Sequence, residues 1–192
     1  MKNVVQMLLV VSSMLAVPAL AQNSTWTIDP VHTQATFQAR HLSVTTIRGS
    51  ISNVTGTVEW VPNDPSRDSV VATLDVHTVN TANDYRDKTL QGEDFFNVSK
   101  YPRITFKSTS VKKSDSGYSI YGNLTIAGMT RPVILEAENP AAPQKGMEGE
   151  TVTGLSATTT IKRGDFNFGA KYPSSLLSDE IKITIDLELS QQ

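Results

Sequence analysis

The sequence predicts an all-β domain of eight antiparallel strands, and two observations carry that reading. Apolar and polar residues alternate with a period of two through most of the chain, and clusters of turn residues separate the alternating runs. The clearest run closes the chain, where Ile181, Ile183, Ile185, Leu187 and Leu189 alternate with Lys182, Thr184, Asp186 and Glu188. Such alternation marks a strand with one buried face.

In chain order, residues 1–21 come first. Lys2 gives a positive start, residues 4–20 are uncharged and largely apolar, and Ala19-Leu20-Ala21 is the small-x-small pattern that a signal peptidase cuts. The expectation is a cleaved signal peptide over 1–21, a domain over 22–192, export from the cytoplasm and no retained membrane insertion. Candidate strands follow at about 33–42, 46–60, 69–79, 103–111, 117–127, 132–139, 152–162 and 180–189. Turns between them are announced by Pro62-Asn63-Asp64-Pro65, Ser114-Asp115-Ser116-Gly117, Gly128-Met129-Thr130 and the Pro- and Gly-bearing stretch 139–149. Asp84 to Gln91 reads as a short helix, with Asn83 to cap its start and Gly92 to end it.

Removing 21 of the 192 residues leaves 171, enough for one domain with a substantial core, and moves the net charge from −2 to −3 through the loss of Lys2. No basic tract is present to meet nucleic-acid phosphates. With no cysteine, disulfides, thiol nucleophiles and thiolate metal sites are excluded. There is no Gly-x-Ser-x-Gly elbow, His-Glu-x-x-His or phosphate loop, so no catalytic residue and no cofactor site is assigned. The three histidines fall on different parities and at different positions, which argues against a metal centre. A turn-stabilising bond between Asp29 and His32 is the expected role of that pair.

Periodicity fits a closed barrel and a two-sheet sandwich equally well. On the apolar parity, Ala35, Ala39, Ala72, Gly122, Ala137 and Ala157 fall among Phe37, Leu74, Phe106 and Leu124. Small residues there either leave a lumen open or pack beneath bulky neighbours. Two connections, 80–102 and 163–179, are too long to be turns, and in an up-and-down arrangement both emerge at the same end. Phe95 and Phe96 lie in the first of them, placed to plug or line the interior.

Several segments together form a family pattern: Ile28-Asp29-Pro30-Val31-His32-Thr33, Arg40-His41-Leu42, Tyr85-Arg86-Asp87-Lys88-Thr89-Leu90, Asp94-Phe95-Phe96-Asn97, Lys100-Tyr101-Pro102 and Gly122-Asn123-Leu124-Thr125-Ile126-Ala127-Gly128-Met129-Thr130-Arg131-Pro132. The chain resembles the YceI-like family of exported bacterial proteins over about residues 26–189. The resemblance implies an extended lipocalin-like barrel of eight strands, commonly a homodimer in the periplasm. It also implies an apolar tunnel that holds a polyisoprenoid or another long-chain amphiphile, such as a prenyl diphosphate or an isoprenoid quinone. A buried tail contributes about 0.8 kcal/mol per methylene, so polar groups are needed only at the mouth. Arg86, His41, Lys88 and Arg131 are the expected head-group residues. Phe37, Ala39, Leu74, Phe95, Phe96, Phe106, Gly122 and Leu124 are the expected tail contacts. Arg86 could equally brace its own loop, and His41 could be satisfied by a backbone carbonyl.

Overall fold

The computed structural model describes residues 24–61 and 63–191; the expected signal peptide lies outside them. The described residues form eleven strands and one α-helix: β1 Ser24–Ile28, β2 Gln34–His41, β3 Thr45–Ile51, β4 Val54–Trp60, β5 Ser69–Asp75, α1 Asp84–Gln91, β6 Arg103–Ser114, β7 Gly117–Ile126, β8 Met129–Glu138, β9 Gln144–Lys145, β10 Thr151–Lys162 and β11 Glu180–Gln191. All pairings are antiparallel, and β10 pairs with β11 along its full length, from Thr151 opposite Gln191 to Lys162 opposite Glu180. The ladder runs from β11 through β1, β4, β5, β6, β7, β8 and β10 back to β11, closing a barrel of eight courses. Closure leaves one interior to fill, although β8 and β10 pair at only two positions and the outer edge of β3 carries only the Ser50–Asn80 bridge.

Two courses are broken strands. β1 and β2 lie in turn along β11, Ile28 opposite Leu189 and Gln34 opposite Asp186. β3 and β4 form the next course, pairing with β2 and β1 respectively. Alternation alone predicts a first strand from about 33 and an unbroken second from 46 to 60; the structure adds β1 ahead of the first and breaks the second between Ile51 and Val54. The first break is at 29–33, where the Asp29 carboxylate accepts the amides of Val31 at 2.6 Å and His32 at 3.2 Å. Asn53, at φ 54°, makes the second break in the left-handed conformation that Asn tolerates. A threonine hydroxyl staples each one. Thr33 Oγ1 accepts the Glu188 amide at 3.0 Å and donates to the Glu188 carbonyl, while Thr78 Oγ1 does the same for the Ser52 amide and carbonyl. These hydroxyls replace the ladder bonds that the breaks remove.

Other boundaries differ for local reasons. β5 ends at Asp75 because Val76–Thr78 turns into a 3₁₀ segment, capped by the Asp75 side chain accepting the His77 amide. β8 starts at Met129 because Ala127 and Gly128, at φ 48° and 77°, form a two-residue hairpin turn of the type that suits strand twist. The β2–β3 hairpin turns through Leu42 and Ser43, both left-handed at φ 51° and 56°, with the Val44 amide donating to the His41 carbonyl. Leucine there costs about 1–2 kcal/mol against glycine. α1 forms where expected: Asn83 Oδ1 accepts the Arg86 amide at 2.9 Å, and Gly92 stops the helix.

Candidate functional site

Inward residues of the strands enclose an apolar cavity of about 530 Å³. The alternating set of β11, Ile181 through Leu189, lines it, as do Val70, Ala72 and Leu74 of β5. Ala35, Ala39, Ala137 and Ala157 also face it, each with less than a tenth of its surface exposed. Of the expected tail contacts, Phe37, Ala39, Leu74, Phe95, Phe96, Phe106 and Leu124 line this space. Gly122 does not: a Cβ there would sit 2.3 Å from the Phe106 ring, which lies over the glycine and takes up the room. Gly122 instead borders a second cleft, where β8 and β10 pair only at Ala137–Ala157 and Glu136–Thr158 and then diverge.

One end of the cavity is closed by Trp60 and Tyr118, edge-to-face with centroids 5.4 Å apart. Asp68 lines this end too. Burial pushes its carboxyl up although it accepts the Val61 amide at 2.7 Å, and burial together with Asp68 pushes the Tyr118 phenol up. The strand pattern did not single out this polar pair, because Asp68 lies in a turn and only tertiary closure brings it against Tyr118.

The opposite end is the mouth, where the two long connections meet. Phe95 packs edge-on to Phe168 and stacks on Tyr172, both at 5.2 Å, and Phe96 meets Phe168 at 4.6 Å. Asp94 pairs with Lys171 and holds the ammonium above its ordinary value, while the Gly169 amide donates to the Asp94 carbonyl at 2.7 Å. Arg163 pins the second connection. It is buried, and its five N–H groups donate to the carbonyls of Ser178, Phe168, Gly169, Tyr172 and Leu177. A guanidinium has five such donors, so none is left for a ligand.

The expected head-group residues separate. Arg86 lines the cavity, half-buried, and braces its loop: Nε donates to Thr81 Oγ1 at 2.8 Å and Nη2 to the Thr81 carbonyl at 2.7 Å. Thr81 is in turn held by Asp87 Oδ1. Three N–H groups of Arg86 remain. His41 borders the mouth, with no hydrogen-bond partner for its ring among the described residues. Lys88 is exposed on α1 and borders neither cavity. Arg131 lines the β8/β10 cleft rather than the barrel cavity, beside Asp165 and Phe166 of the second connection, and donates to the Thr130 carbonyl. His32 and Asp29 form the expected turn bond on the outer wall, Nδ1 to Oδ2 at 3.1 Å, with Glu188 at 3.4 Å. Among the described residues no helix is long and apolar enough to cross a membrane.

Protein YceI of Salmonella newport is 36% identical over 161 residues, covering 84% of this chain and 83% of that one. A crystal structure of the Campylobacter jejuni YCEI protein superimposes with a TM-score of 0.70 at 31% identity, covering 80% of this chain and 90% of that one. The same architecture recurs, at a TM-score of 0.64 and 12% identity over 89% of this chain and all of the other, in a polyisoprenoid binding domain from Saccharophagus degradans. The model of the YceI-like domain matches residues 26–189, and the chain belongs to that family.

Proposed function

We propose that this protein binds and carries, or sequesters, a polyisoprenoid or similar long-chain amphiphile by reversible burial in the barrel, with no covalent step. The observation that carries the reading is the lining. Apart from a few polar groups near its two ends, the cavity is walled by Ile, Leu, Val, Ala and Phe, the surface an aliphatic tail requires. The name of the Saccharophagus relative points to the same ligand class. Arg86 and His41 would meet the head group, a diphosphate or a quinone, and the inward phenylalanines would meet the tail. Residues 1–21 would direct export to the periplasm, and the working form would be a homodimer. Mass spectrometry of an organic extract of protein purified without refolding tests the reading. A single prenyl species is the expected result, while a fatty acid or amide would reassign the ligand and turnover of an added lipid would make the lumen catalytic.

A further inference from the structure

We infer that the mouth of the barrel is a membrane-docking surface, with the Leu42–Val44 hairpin tip entering the outer layer of an anionic bilayer while a lipid passes between bilayer and lumen. The inference rests on the lipid-carrying reading and adds where the exchange takes place.

The tip is built against its own folding preference. Leu42 and Ser43 both adopt left-handed backbone, for which Asn-Gly is the natural pair. Leu42 is 53% exposed and Val44 is 79% exposed, so neither gains much by burial in the folded chain. A bulky apolar residue at a turn position that disfavours it, left in water, is explained by something that covers it outside the fold. Across the mouth Tyr85 stands 83% exposed on α1, an aromatic with a polar tip suited to a bilayer interface. The three residues therefore flank the opening of an apolar cavity.

Charge fits the same occupant. Residues 34–51, which make up the hairpin, contain Arg40, His41 and Arg48 and no carboxylate. The neighbouring connection carries Asp84, Asp87, Glu93 and Asp94, but Asp87 is engaged by Thr81 and Asp94 by Lys171. Basic groups beside inserted apolar side chains are the combination that binds an anionic lipid surface. A lipid that leaves a bilayer at this surface need not cross water, where each exposed methylene opposes transfer.

The test is flotation of the chain from Gln22, which contains every described residue, with vesicles of equal parts phosphatidylethanolamine and phosphatidylglycerol. The parent should float with these vesicles, and more weakly with phosphatidylcholine alone or at high salt. Leu42→Asn/Val44→Thr, altering two residues that do not line the cavity, should bind the anionic vesicles about tenfold or more weakly. Its melting temperature should stay level or rise, since Asn accepts the left-handed turn. Farnesol binding, read by quenching of Trp60 in the cavity wall, should be unchanged. Loss of quenching in the parent would overturn the carrier reading and leave docking to be judged by flotation alone. A parent that does not float, or a variant that floats equally well, would overturn docking. So would conversion of a dimer to a monomer by the double variant in light scattering, which would assign the patch to a second copy of the chain.

Discussion

Arg163 shows how one residue can organise a mouth without touching a ligand. Its guanidinium gathers carbonyls from five points along a connection that has little regular structure of its own, and lysine, with one compact ammonium, cannot reproduce that fork. Arg163→Lys should therefore lose about 3–5 kcal/mol of stability, measured by urea unfolding, because several buried carbonyls lose their donor. A loss below about 1 kcal/mol would show that water replaces the fork. His32 makes a smaller, pH-dependent contribution. Its hydrogen bond to Asp29 and the charge of Glu188 raise the imidazole above 6.5. Desolvation is the largest single influence on the Asp29 carboxyl and raises it, but the bonds from the His32 ring and the Val31 and His32 amides, with the His32 charge, together outweigh it and hold the carboxyl below 3.8. The imidazolium contribution is fully present below the ordinary histidine value and is lost as pH rises through the raised one; that of Asp29 is lost only as pH falls through the lowered one. Proton NMR should find His32 titrating above 6.5 in the parent and lower in Asp29→Asn. The Asp29–His32 bond was readable from spacing; the approach of Glu188, 156 positions away, was not.

Among the connecting elements, the helix was legible because its caps are local, whereas the aromatic lock between the two long connections was not, since Phe95 and Phe96 find Phe168 and Tyr172 only after closure. The 80–102 connection has one strand pairing to the wall among the described residues, the Asn80–Ser50 bridge, and is otherwise held by aromatic packing, the Asp94–Lys171 pair and a few single hydrogen bonds such as that from the Val76 amide to the Pro102 carbonyl. Such segments open at lower free energy than ladder strands. Hydrogen exchange should show amides 84–101 exchanging faster than those of β10 and β11 in the empty protein, and slowing when farnesol is added. Equal protection in the empty protein would remove this segment from the uptake route. Part of the Arg86 fork braces Thr81 and the rest borders the cavity, where the proposed head-group contact would be made. Arg86→Ala should weaken farnesyl diphosphate by about 1–3 kcal/mol and farnesol far less, as loss of a charge-assisted contact does. Equal losses for both, with a lower melting temperature in the empty protein, would make Arg86 a brace alone.

At the scale of the molecule, lumen volume should decide ligand binding. Ala39→Trp, at a buried alanine facing the cavity, should abolish farnesol binding while far-ultraviolet circular dichroism still reports a folded barrel. Undiminished binding in the folded variant would place the ligand elsewhere. Gly122→Leu would act differently, driving the Phe106 ring out of its place over the glycine, so overpacking would accompany any loss of binding. The sequence by itself determined most of the strands though not β1, β9 or the β3–β4 break, together with the capped helix and the end at which both long connections emerge, because alternation, caps and turns depend on neighbours in the chain. It left barrel and sandwich equal on periodicity, and the family resemblance pointed to the barrel. Tertiary structure alone decided that Thr33 and Thr78 staple two broken courses, that Gly122 lies beneath a ring and Arg131 faces a different cleft. It likewise decided that Arg163 is consumed by carbonyls and that Asp68 meets Tyr118 at the closed end. Each depends on distant segments meeting, and a period of two reports which way a side chain points without reporting what it meets.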